Sequence, residues 1–402
     1  MRSVAILSFH TSPLVQPGSG DGGGMNVYVR ELATALAHTG IQCDIYTRRT
    51  DSTTPDEVVV EPGLRVRQIR AGANDLEKEA LPAVVEQFTT GVARALHRDP
   101  VDAIHANYWL SADAGHRLKH ALEVPLTVTF HTLGAVKRAS GDDEPDYRIE
   151  AERQIIGCSD VLFASCEVEA NQLVSYYDAP RERVARLSPG VDHALFSPGQ
   201  RYAARQALDL GQSERPLVLF VGRLQPLKGL ELALDAVAIS SVNPELLVVG
   251  GPSGVGGSTY VDELVKRAAD LGIADRVTWH APQPHHKLST YYRAADVCVV
   301  PSRSESFGLV ALESSACGTP VVASAVGGLS TIIDDGISGL LVPDRSVIGF
   351  RDAIDQVLGD EMAALTMGAA AADHASKFTW SAAATAFVDA LGARSRELVD
   401  CR

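Results

Sequence analysis

The most informative pattern in this sequence is Pro301-Ser-Arg-Ser-Glu-Ser-Phe-Gly-Leu-Val-Ala-Leu-Glu313. It follows Ala295-Asp-Val-Cys-Val-Val300, an apolar run typical of a buried parallel strand. It leads into a helical pattern that ends at Gly318, a residue type that commonly terminates helices. The sequence therefore predicts a strand, a polar loop and a helix start, in that order.

The start of this helix suits an anion. Ser304 or Ser306 is expected to cap the helix with its hydroxyl group. The first free amide groups, near Phe307, Gly308 and Leu309, would then face a negatively charged ligand at the positive end of the helix dipole. A phosphate group fits such a site.

Two carboxylates accompany this helix start. Glu305 lies in the loop before the helix, and Glu313 lies about two turns along it. One of the two carboxylates can reach a ligand group beside the phosphate, and the other can reach a ligand group on the far side of the phosphate. The hydroxyls of a ribose or a hexose could bind to either carboxylate. The alternative is that Glu305 is a solvated loop acid and Glu313 a surface helix acid, which is the usual fate of a glutamate.

Composition limits the class of protein. The 402 residues suffice for two domains with full cores, and 46% apolar with 21% charged residues is ordinary for a globular chain. The net charge of −14 argues against nucleic acid or an anionic membrane as the main partner. The six cysteines form no C-x-x-C pair and show no metal-ligand spacing, and Cys298 and Cys317 lie in apolar contexts typical of free thiols. Because no apolar run approaches the roughly 18 residues of a spanning helix, we expect a cytoplasmic protein.

A glycine-rich loop follows the first predicted strand. Gly18, Gly20 and Gly23 match the dinucleotide-binding pattern G-x-G-x-x-G, but a lone match is weak. Eight residues separate Phe9, at the end of the strand, from the first of these glycines, and the second strand is followed by Thr47-Arg48-Arg49 instead of an acid for a ribose. The pattern favours a longer, mobile loop whose backbone can approach a sugar phosphate, with a plain surface loop as the alternative.

Apolar strands alternate with helical stretches along the whole chain, which predicts an α/β protein. Two Pro-Gly turns within residues 187–199 indicate an interdomain linker, and a second alternation starts at Pro216. We therefore predict a first domain over 1–190, a second domain over 191–376, and a final helix within 377–402.

Polar residues follow several of these strands. His10, Tyr108 and His131 fall at the carboxyl ends of strands, where open parallel sheets bind ligands. Arg223 and Lys228 lie in a glycine-flanked loop after a buried strand. The planar guanidinium of the arginine and the compact ammonium group of the lysine can together neutralise a diphosphate there. The alternative is that each of them is an ordinary solvated loop residue.

Two of these motifs resemble a known family. Glu305 and Glu313, with seven residues between them, are similar to the paired glutamates of the retaining GT-B glycosyltransferases of family 4, and Gly222-Arg223 with Lys228-Gly229 resembles the family's donor-phosphate clamp. The resemblance implies a GT-B fold, with two doubly wound Rossmann-like domains facing across a cleft. It implies that the domain over 1–190 binds the acceptor, that the domain over 191–376 binds the nucleotide sugar, and that the C-terminal helix crosses back to the first domain. It also implies a hexosyltransferase that retains the α configuration, in which the departing phosphate accepts the proton of the acceptor hydroxyl.

The N-terminal half narrows the resemblance. Nearly the whole chain resembles the D-inositol 3-phosphate glycosyltransferases of mycothiol biosynthesis. The segments that carry this resemblance are the string from His10 to Val29, Lys78, Tyr108-Trp-Leu-Ser111 and His131-Thr-Leu-Gly-Ala-Val-Lys137. The resemblance implies transfer of N-acetylglucosamine from UDP-N-acetylglucosamine to inositol 3-phosphate. The implied residues are Gln16, Pro17, Gly23, Arg223, Lys228, Glu305, Phe307, Gly308, Leu309 and Glu313 for the donor; His10, Asp21, Asn26, Lys78, Tyr108, Thr132 and Arg148 for the acceptor; and Arg223, Lys228, Glu305 and His131 for catalysis.

The same resemblance extends to a metal and to assembly. It implies a magnesium contact at Tyr292, Arg293, Ala295 and Thr319, which we expect to be structural because none of them supplies a carboxylate. No cofactor is expected to be needed for the chemistry. The expected partners are the nucleotide sugar, a phosphorylated cyclitol and a second copy of the chain in a homodimer.

Other function classes are kept as alternatives. These are a family 4 enzyme acting on another cyclitol or natural-product acceptor, a sugar-nucleotide epimerase or hydrolase on the same fold, a non-catalytic binding protein and a dinucleotide-dependent oxidoreductase. Formation of product without an acceptor would indicate an epimerase or hydrolase. Glu305 and Lys228 weigh against a binding protein, and the missing ribose acid weighs against an oxidoreductase.

Overall fold

The computed structural model describes residues 1–18, 20, 22–211, 213–254, 256–393 and 398–401. In this part of the chain the residues form two compact α/β units. The first unit comprises Met1–Val15, Met25–Pro189 and the described residues from Trp380 onward. The second comprises the described residues of Gln16–Gly24 and of Gly190–Thr379. The predicted α/β class is confirmed.

An eight-stranded sheet forms the centre of the first unit, in the order β3-β4-β2-β1-β5-β6-β7-β8. Its strands are parallel except for β3, which runs antiparallel to β4 at one edge. The elements are β1 Ser3–Leu7, α1 Gly24–His38, β2 Gln42–Arg48, β3 Glu57–Glu61, β4 Leu64–Ile69, α2 Val85–Arg98, β5 Ala103–Asn107, α3 Trp109–Leu122, β6 Leu126–Thr129, α4 Gly134–Ala139, α5 Asp146–Cys158, β7 Val161–Ala164, α6 Glu167–Tyr177, β8 Val184–Arg186 and the C-terminal α15 Trp380–Gly392.

A six-stranded parallel sheet forms the centre of the second unit, in the order β11-β10-β9-β12-β13-β14. Its elements are α7 Arg201–Ala207, β9 Leu217–Val221, α8 Leu230–Ala238, β10 Glu245–Val249, α9 Gly257–Asp270, β11 Val277–His280, α10 Leu288–Ala294, β12 Val297–Val300, α11 Leu309–Ala316, β13 Val321–Ser324, α12 Leu329–Ile332, β14 Gly339–Val342, α13 Val347–Leu358 and α14 Glu361–Ala375.

Each sheet has a switch point at which the strand order reverses. In the first unit β1 lies beside β5, and in the second unit β9 lies beside β12. From each of these pairs the successive connections run toward opposite edges of the sheet, so the loops at the carboxyl ends of the two strands diverge and leave a crevice. These loops carry His10 and Tyr108 in the first unit, and the segments 222–229 and 301–308 in the second.

The C-terminal helix belongs to the core of the first unit. Phe387 on α15 is fully buried, and its ring centroid lies 5.1 Å from those of both His105 and Phe163. Trp380, at the start of the helix, packs edge-on against Tyr28 at 5.9 Å. Apolar burial of these aromatic side chains holds the helix on the sheet that begins the chain.

Some elements differ from the sequence pattern. Strand β3 was not predicted because it lies at the sheet edge, where Val59 is 67% exposed and the alternation of apolar residues is weak. The apolar pattern over 81–96 is typical of one helix, but the chain there begins as a 3₁₀ turn, Lys78–Val84, because Pro82 cannot donate the hydrogen bond that an α-helix needs at that position. The regular α-helix starts only at Val85.

Candidate active site

The loops after β9 and β12 meet at the switch point of the second unit. The ammonium group of Lys228 lies 2.6 Å from Oε2 of Glu305. The backbone N–H of Arg303 donates to the carbonyl of Leu227 at 2.9 Å, so the two loops are also joined by their main chains. The structure therefore brings together the predicted phosphate-binding lysine and the predicted sugar-binding glutamate.

Glycine is required where these loops approach each other. Gly229 has φ +71°, and a Cβ atom there would lie 2.3 Å from the carbonyl oxygen of Pro301. Any side chain would push the two loops apart and lengthen the contact between Lys228 and Glu305. The glycine next to Lys228 thus has a geometric role that the sequence pattern alone did not reveal.

Two further glycines, Gly327 and Gly328, lie against the backbone of Glu305. The N–H of Gly328 donates to the carbonyl of Glu305 at 3.1 Å, and a Cβ atom on Gly327 would lie 1.7 Å from the same oxygen. The hydroxyl of Ser302 donates to Oε2 of Glu305 at 3.4 Å. Both the main chain and the side chain of Glu305 are therefore held in place.

The helix start after this loop differs from the prediction. Gly308 is the N-cap residue of α11, with φ +104°. Neither Ser304 nor Ser306, which were expected to cap the helix, is at this position, because the chain enters the helix through a left-handed residue that strongly favours glycine. The amide groups of the first helical turn begin at Leu309, and the N-terminus of a helix suits an anion.

Glu313 is buried, with 5% of its surface exposed, so the alternative of a surface helix acid is excluded. Its Oε1 lies 2.7 Å from Nε2 of His285, and its Oε2 accepts a hydrogen bond from the hydroxyl of Tyr292 at 2.8 Å. Burial and the Glu313 carboxylate hold the pKa of Tyr292 well above its ordinary value, so this hydroxyl remains a donor. Sequence reasoning missed His285, whose only signal was its place shortly after a strand end.

The glycine-rich loop is hydrogen-bonded within the second unit. Gly251 donates its N–H to the carbonyl of Gly18 at 3.0 Å, and Gly20 donates to the carbonyl of Pro252 at 3.2 Å. The amide of Gln16 donates to the carbonyl of Pro282 at 3.0 Å. The expected mobile loop is therefore anchored at three points.

Arg223 lies against this loop. Its Nη1 is 3.3 Å from Oγ of Ser253, which itself donates to the carbonyl of Gly20 at 2.6 Å. A Cβ atom on Gly23 would lie 3.2 Å from Nε of Arg223, so a larger residue there would crowd the guanidinium. The structure thus groups Gln16, Gly23 and Arg223 in one unit with Lys228 and Glu305, whereas Asp21 lies outside the described residues.

Tyr108 is the centre of the polar cluster in the first unit. Its backbone has φ +73°, and its ring centroid lies 4.5 Å from that of His10. Two cations contact the same ring, with Nζ of Lys78 at 5.4 Å and Cζ of Arg148 at 5.1 Å from its centroid. Cation–π attraction therefore helps to hold both side chains beside the tyrosine.

Arg148 is buried and bound on three sides. Its Nη2 donates to the carbonyl and the hydroxyl of Thr132 at 3.0 and 3.2 Å. Its Nη1 donates to Glu144 at 2.7 Å and its Nε to Glu152 at 2.9 Å. The structure thus places Arg148 with Thr132 as predicted, but sequence reasoning missed the two glutamates. Their spacing of four residues on either side of Arg148 was the signal that could have found them.

Lys137 is also paired. Its ammonium group contacts the carboxylate of Glu144 and lies 3.6 Å from that of Asp142. Burial alone would raise the pKa of Glu144, but hydrogen bonding to Lys137 and the charge of Arg148 lower it below the ordinary value. Lys137 and Arg148 therefore both have carboxylate partners, which balance much of their positive charge.

His131 and Asn26 have structural partners. Burial lowers the pKa of His131 to about 3, so its imidazole is neutral at physiological pH, and its Nε2 lies 2.9 Å from Oδ1 of Asn107. A group of this kind can orient a ligand by hydrogen bonding, but it is a weak proton acceptor. The amide of Asn26 donates to Thr11 Oγ1 at 2.7 Å and to the carbonyl of Ser12 at 2.6 Å, which fixes the chain after His10.

The implied magnesium ligands fit that ion poorly. The carbonyl of Tyr292 already accepts hydrogen bonds from Oγ1 of Thr319 at 2.7 Å and from the N–H of Ala295 at 3.2 Å. The guanidinium of Arg293 donates to the carbonyl of Ser197 at 2.7 Å and cannot bind a cation. Magnesium at this position stays a prediction.

Family models match both units. One described as "Glycosyl transferase 4-like domain" matches residues 23–190, and one described as "Glycosyl transferases group 1" matches residues 207–374. A D-inositol 3-phosphate glycosyltransferase of Mycolicibacterium smegmatis is 46% identical, with 100% of this chain and 92% of the relative covered. A protein of the same name from Kribbella flavida is also 46% identical, with 94% of this chain and 93% of the relative covered.

Solved structures share the fold. A sucrose-phosphate synthase from Thermosynechococcus elongatus has a TM-score of 0.91 and 33% identity, covering 97% of this chain and 98% of that protein. Anabaena HepE, solved in complex with UDP and glucose, has a TM-score of 0.80 and 18% identity, covering 98% of this chain and 100% of that protein. Among the described residues, no helix combines the length and apolar character that crossing a membrane requires.

The Glu144 carboxylate leads to a prediction about stability and pH. Because its pKa is lower in the folded protein, the charged group stabilises the fold above its unfolded pKa, and this contribution is lost as the pH falls through the folded pKa. Glu144→Gln should lower the free energy of unfolding by about 1.5–3 kcal/mol at neutral pH, the range for hydrogen bonds to charged groups. The difference from wild type should shrink in acid. Urea unfolding at several pH values measures it.

Glu150→Gln is the matched control for this experiment, since Glu150 lies on α5, six residues after Glu144, with a 61% exposed side chain. It should change the free energy of unfolding little at any pH. A Glu144→Gln effect that stays constant across the acid range would contradict the assignment.

Proposed function

This chain belongs to the GT-B glycosyltransferases of family 4, and we propose that it transfers N-acetylglucosamine from UDP-N-acetylglucosamine to 1D-myo-inositol 3-phosphate. The chain is a nucleotide-sugar-dependent enzyme that retains the configuration of the donor, as its family does. The observation that carries the proposal is the contact between Lys228 and Glu305 at the switch point of the second unit, because it joins the two family motifs in one site. The acceptor is proposed from the relatives that are 46% identical over nearly the whole chain.

The donor's leaving group carries the charge that the site must stabilise. As the bond from the sugar to the diphosphate breaks, negative charge grows on the phosphate oxygens. Lys228 and Arg223 can place positive charge there, and the amides at the start of α11 add hydrogen-bond donors. Glu305 holds the ammonium of Lys228 by one oxygen, so its remaining acceptor positions can bind hydroxyls of the transferred sugar.

Glu313 is suited to hold the ribose of the nucleotide. Its two oxygens are each fixed by one internal partner, His285 and Tyr292, so the carboxylate cannot rotate away. Each carboxylate oxygen can accept more than one hydrogen bond, which leaves capacity for the vicinal hydroxyls of a ribose. This rigid carboxylate would favour a nucleotide over a simple phosphate.

The proton of the acceptor hydroxyl passes to the departing phosphate in this proposal. His131 is a poor base because burial lowers its pKa to about 3. Attack on the same face as the departing diphosphate brings the acceptor hydroxyl next to the phosphate oxygens, which take the proton as the new bond forms. The protein then acts by positioning both substrates and by stabilising charge.

The acceptor is assigned to the cluster around Tyr108. Lys78 and Arg148 lie on the ring of this tyrosine, and the hydroxyl of Thr132 lies beside Arg148. A cyclitol phosphate could be held by the cations and its ring hydroxyls by the oxygen groups. Because Arg148 also has carboxylate partners, a second candidate is a related family 4 enzyme that takes an unphosphorylated cyclitol.

The first prediction concerns the leaving group. Lys228→Ala should lower kcat by about 10²–10³-fold, since it removes a charge needed mainly in the transition state. Lys266→Ala, at an exposed position on α9, is the control and should leave kcat unchanged. UDP release measured at saturating substrates gives the result. A folded Lys228→Ala enzyme with wild-type kcat would refute the role of this residue.

The second prediction concerns the nucleotide. Tyr292→Phe removes one of the two contacts that orient Glu313 and should weaken UDP binding, because the carboxylate is then less well held in the position that the ribose hydroxyls need. Tyr291→Phe is the control, since its hydroxyl bonds to His280 instead. Titration calorimetry with UDP compares the two. Equal dissociation constants would show that Glu313 does not depend on this contact.

The third prediction concerns the acceptor. Lys78→Ala should raise the KM for inositol 3-phosphate about tenfold or more and leave the KM for the donor unchanged. Arg94→Ala, an exposed cation of the first unit, should change neither. Wild-type kinetics with inositol in place of inositol phosphate complete the comparison. If the wild type shows no preference for the phosphorylated form, the second candidate replaces the first.

A further inference from the structure

Four side chains with metal-binding atoms converge in the first unit, apart from the residues assigned to the reaction. His116 and His120 are one helical turn apart on α3 and therefore lie on the same face. Cys158 is the last residue of α5, and Cys401 lies near the end of the described chain. The ligand atoms of these four residues all lie within 4.8 Å of one another.

The nitrogen–sulfur distances are close to those of a tetrahedral metal site, whereas the two sulfur atoms are in direct contact with each other. Nε2 of His120 lies 3.3 Å from Sγ of Cys158 and 3.2 Å from Sγ of Cys401. Nε2 of His116 lies 3.9 Å from Sγ of Cys401. For a zinc ion with bonds of about 2.3 Å to sulfur and about 2.0–2.1 Å to nitrogen, tetrahedral geometry puts the nitrogen and sulfur ligands about 3.5–3.6 Å apart.

The backbone around the two cysteines is fixed independently of the sulfur atoms. The N–H of Val399 donates to Oδ1 of Asp160 at 2.7 Å, which ties the segment that carries Cys401 to the sheet. The ammonium of Lys119 donates to the same carboxylate oxygen at 2.9 Å and to the carbonyl of Cys158 at 2.8 Å. A buried ion pair thus positions both cysteines beside the helix of the two histidines.

We propose that His116, His120, Cys158 and Cys401 bind one thiophilic divalent metal ion, with Zn²⁺ as the best match. Two thiolates and two imidazoles favour zinc over magnesium or calcium, which prefer oxygen ligands. Four protein ligands fill a tetrahedral shell and leave no open position for substrate. The ion is therefore structural, and it binds the C-terminal segment to α3 and α5.

A disulfide is the competing state of the two cysteines. Cys158 and Cys401 are in contact through their sulfur atoms, with a Cα–Cα distance of 5.3 Å that a disulfide also allows. A disulfide does not explain why two imidazole nitrogens point at the same sulfurs. Cys298 and Cys317 are buried free thiols, as expected, and Cys43 and Cys166 are buried and form no disulfide.

Metal content tests the proposal. The full chain is purified in reducing buffer without chelator, equilibrated with Zn²⁺ and desalted before elemental analysis. We expect one zinc per chain in the wild type and near zero in His120→Ala and in Cys158→Ser. The controls His97→Ala and Cys166→Ser should keep one zinc, because His97 is exposed on α2 and Cys166 caps α6, a task that serine also performs.

Two further measurements separate the metal site from a disulfide. Co²⁺ in place of zinc should give the absorption bands of a tetrahedral, thiolate-bound ion in the wild type and lose them in Cys401→Ser. Thiol titration in denaturant with chelator should count six free thiols in the wild type, whereas a disulfide leaves four. A wild-type protein with four thiols and no metal, or one whose zinc survives His120→Ala, overturns the proposal.

Discussion

The contact between the ammonium of Lys228 and the carboxylate of Glu305, at 2.6 Å, is the interaction on which the donor site depends. It exists because β9 and β12 are neighbours in the sheet although their loops are separated by more than seventy residues in the chain. Glycine at 229 and 327 lets the main chains come close enough for it to form. The proposed phosphate-binding cation and the proposed sugar-binding carboxylate are thereby placed together at a switch point, where open α/β sheets bind ligands.

The first unit uses the same architecture with different electrostatics. Its switch point carries His10 and Tyr108, whose rings lie 4.5 Å apart. Arg148 is held by two buried carboxylates, which balance much of its positive charge. Lys78 is distant from Arg148 in the sequence, but it contacts the same tyrosine ring.

The sequence predicted the strands and loops of both switch points, because buried parallel strands are continuous apolar runs and their carboxyl ends carry the polar motifs. It did not predict contacts that depend on strand order, such as Gly327 against Glu305 or His285 against Glu313. Cys158 and Cys401 were likewise missed, because 243 residues separate them and their spacing matches no metal motif. The helix cap at Gly308 was missed because a left-handed entry leaves no side-chain signal beyond the glycine itself.

The stereochemistry of the product tests the central claim most directly. The chain is incubated with UDP-N-acetylglucosamine and 1D-myo-inositol 3-phosphate, and the new anomeric centre is examined by proton NMR. The account predicts an α-linked glycoside, with the small coupling between H1 and H2 of that anomer, formed only when the acceptor is present. A β-linked product, or release of UDP without any glycoside, would contradict it.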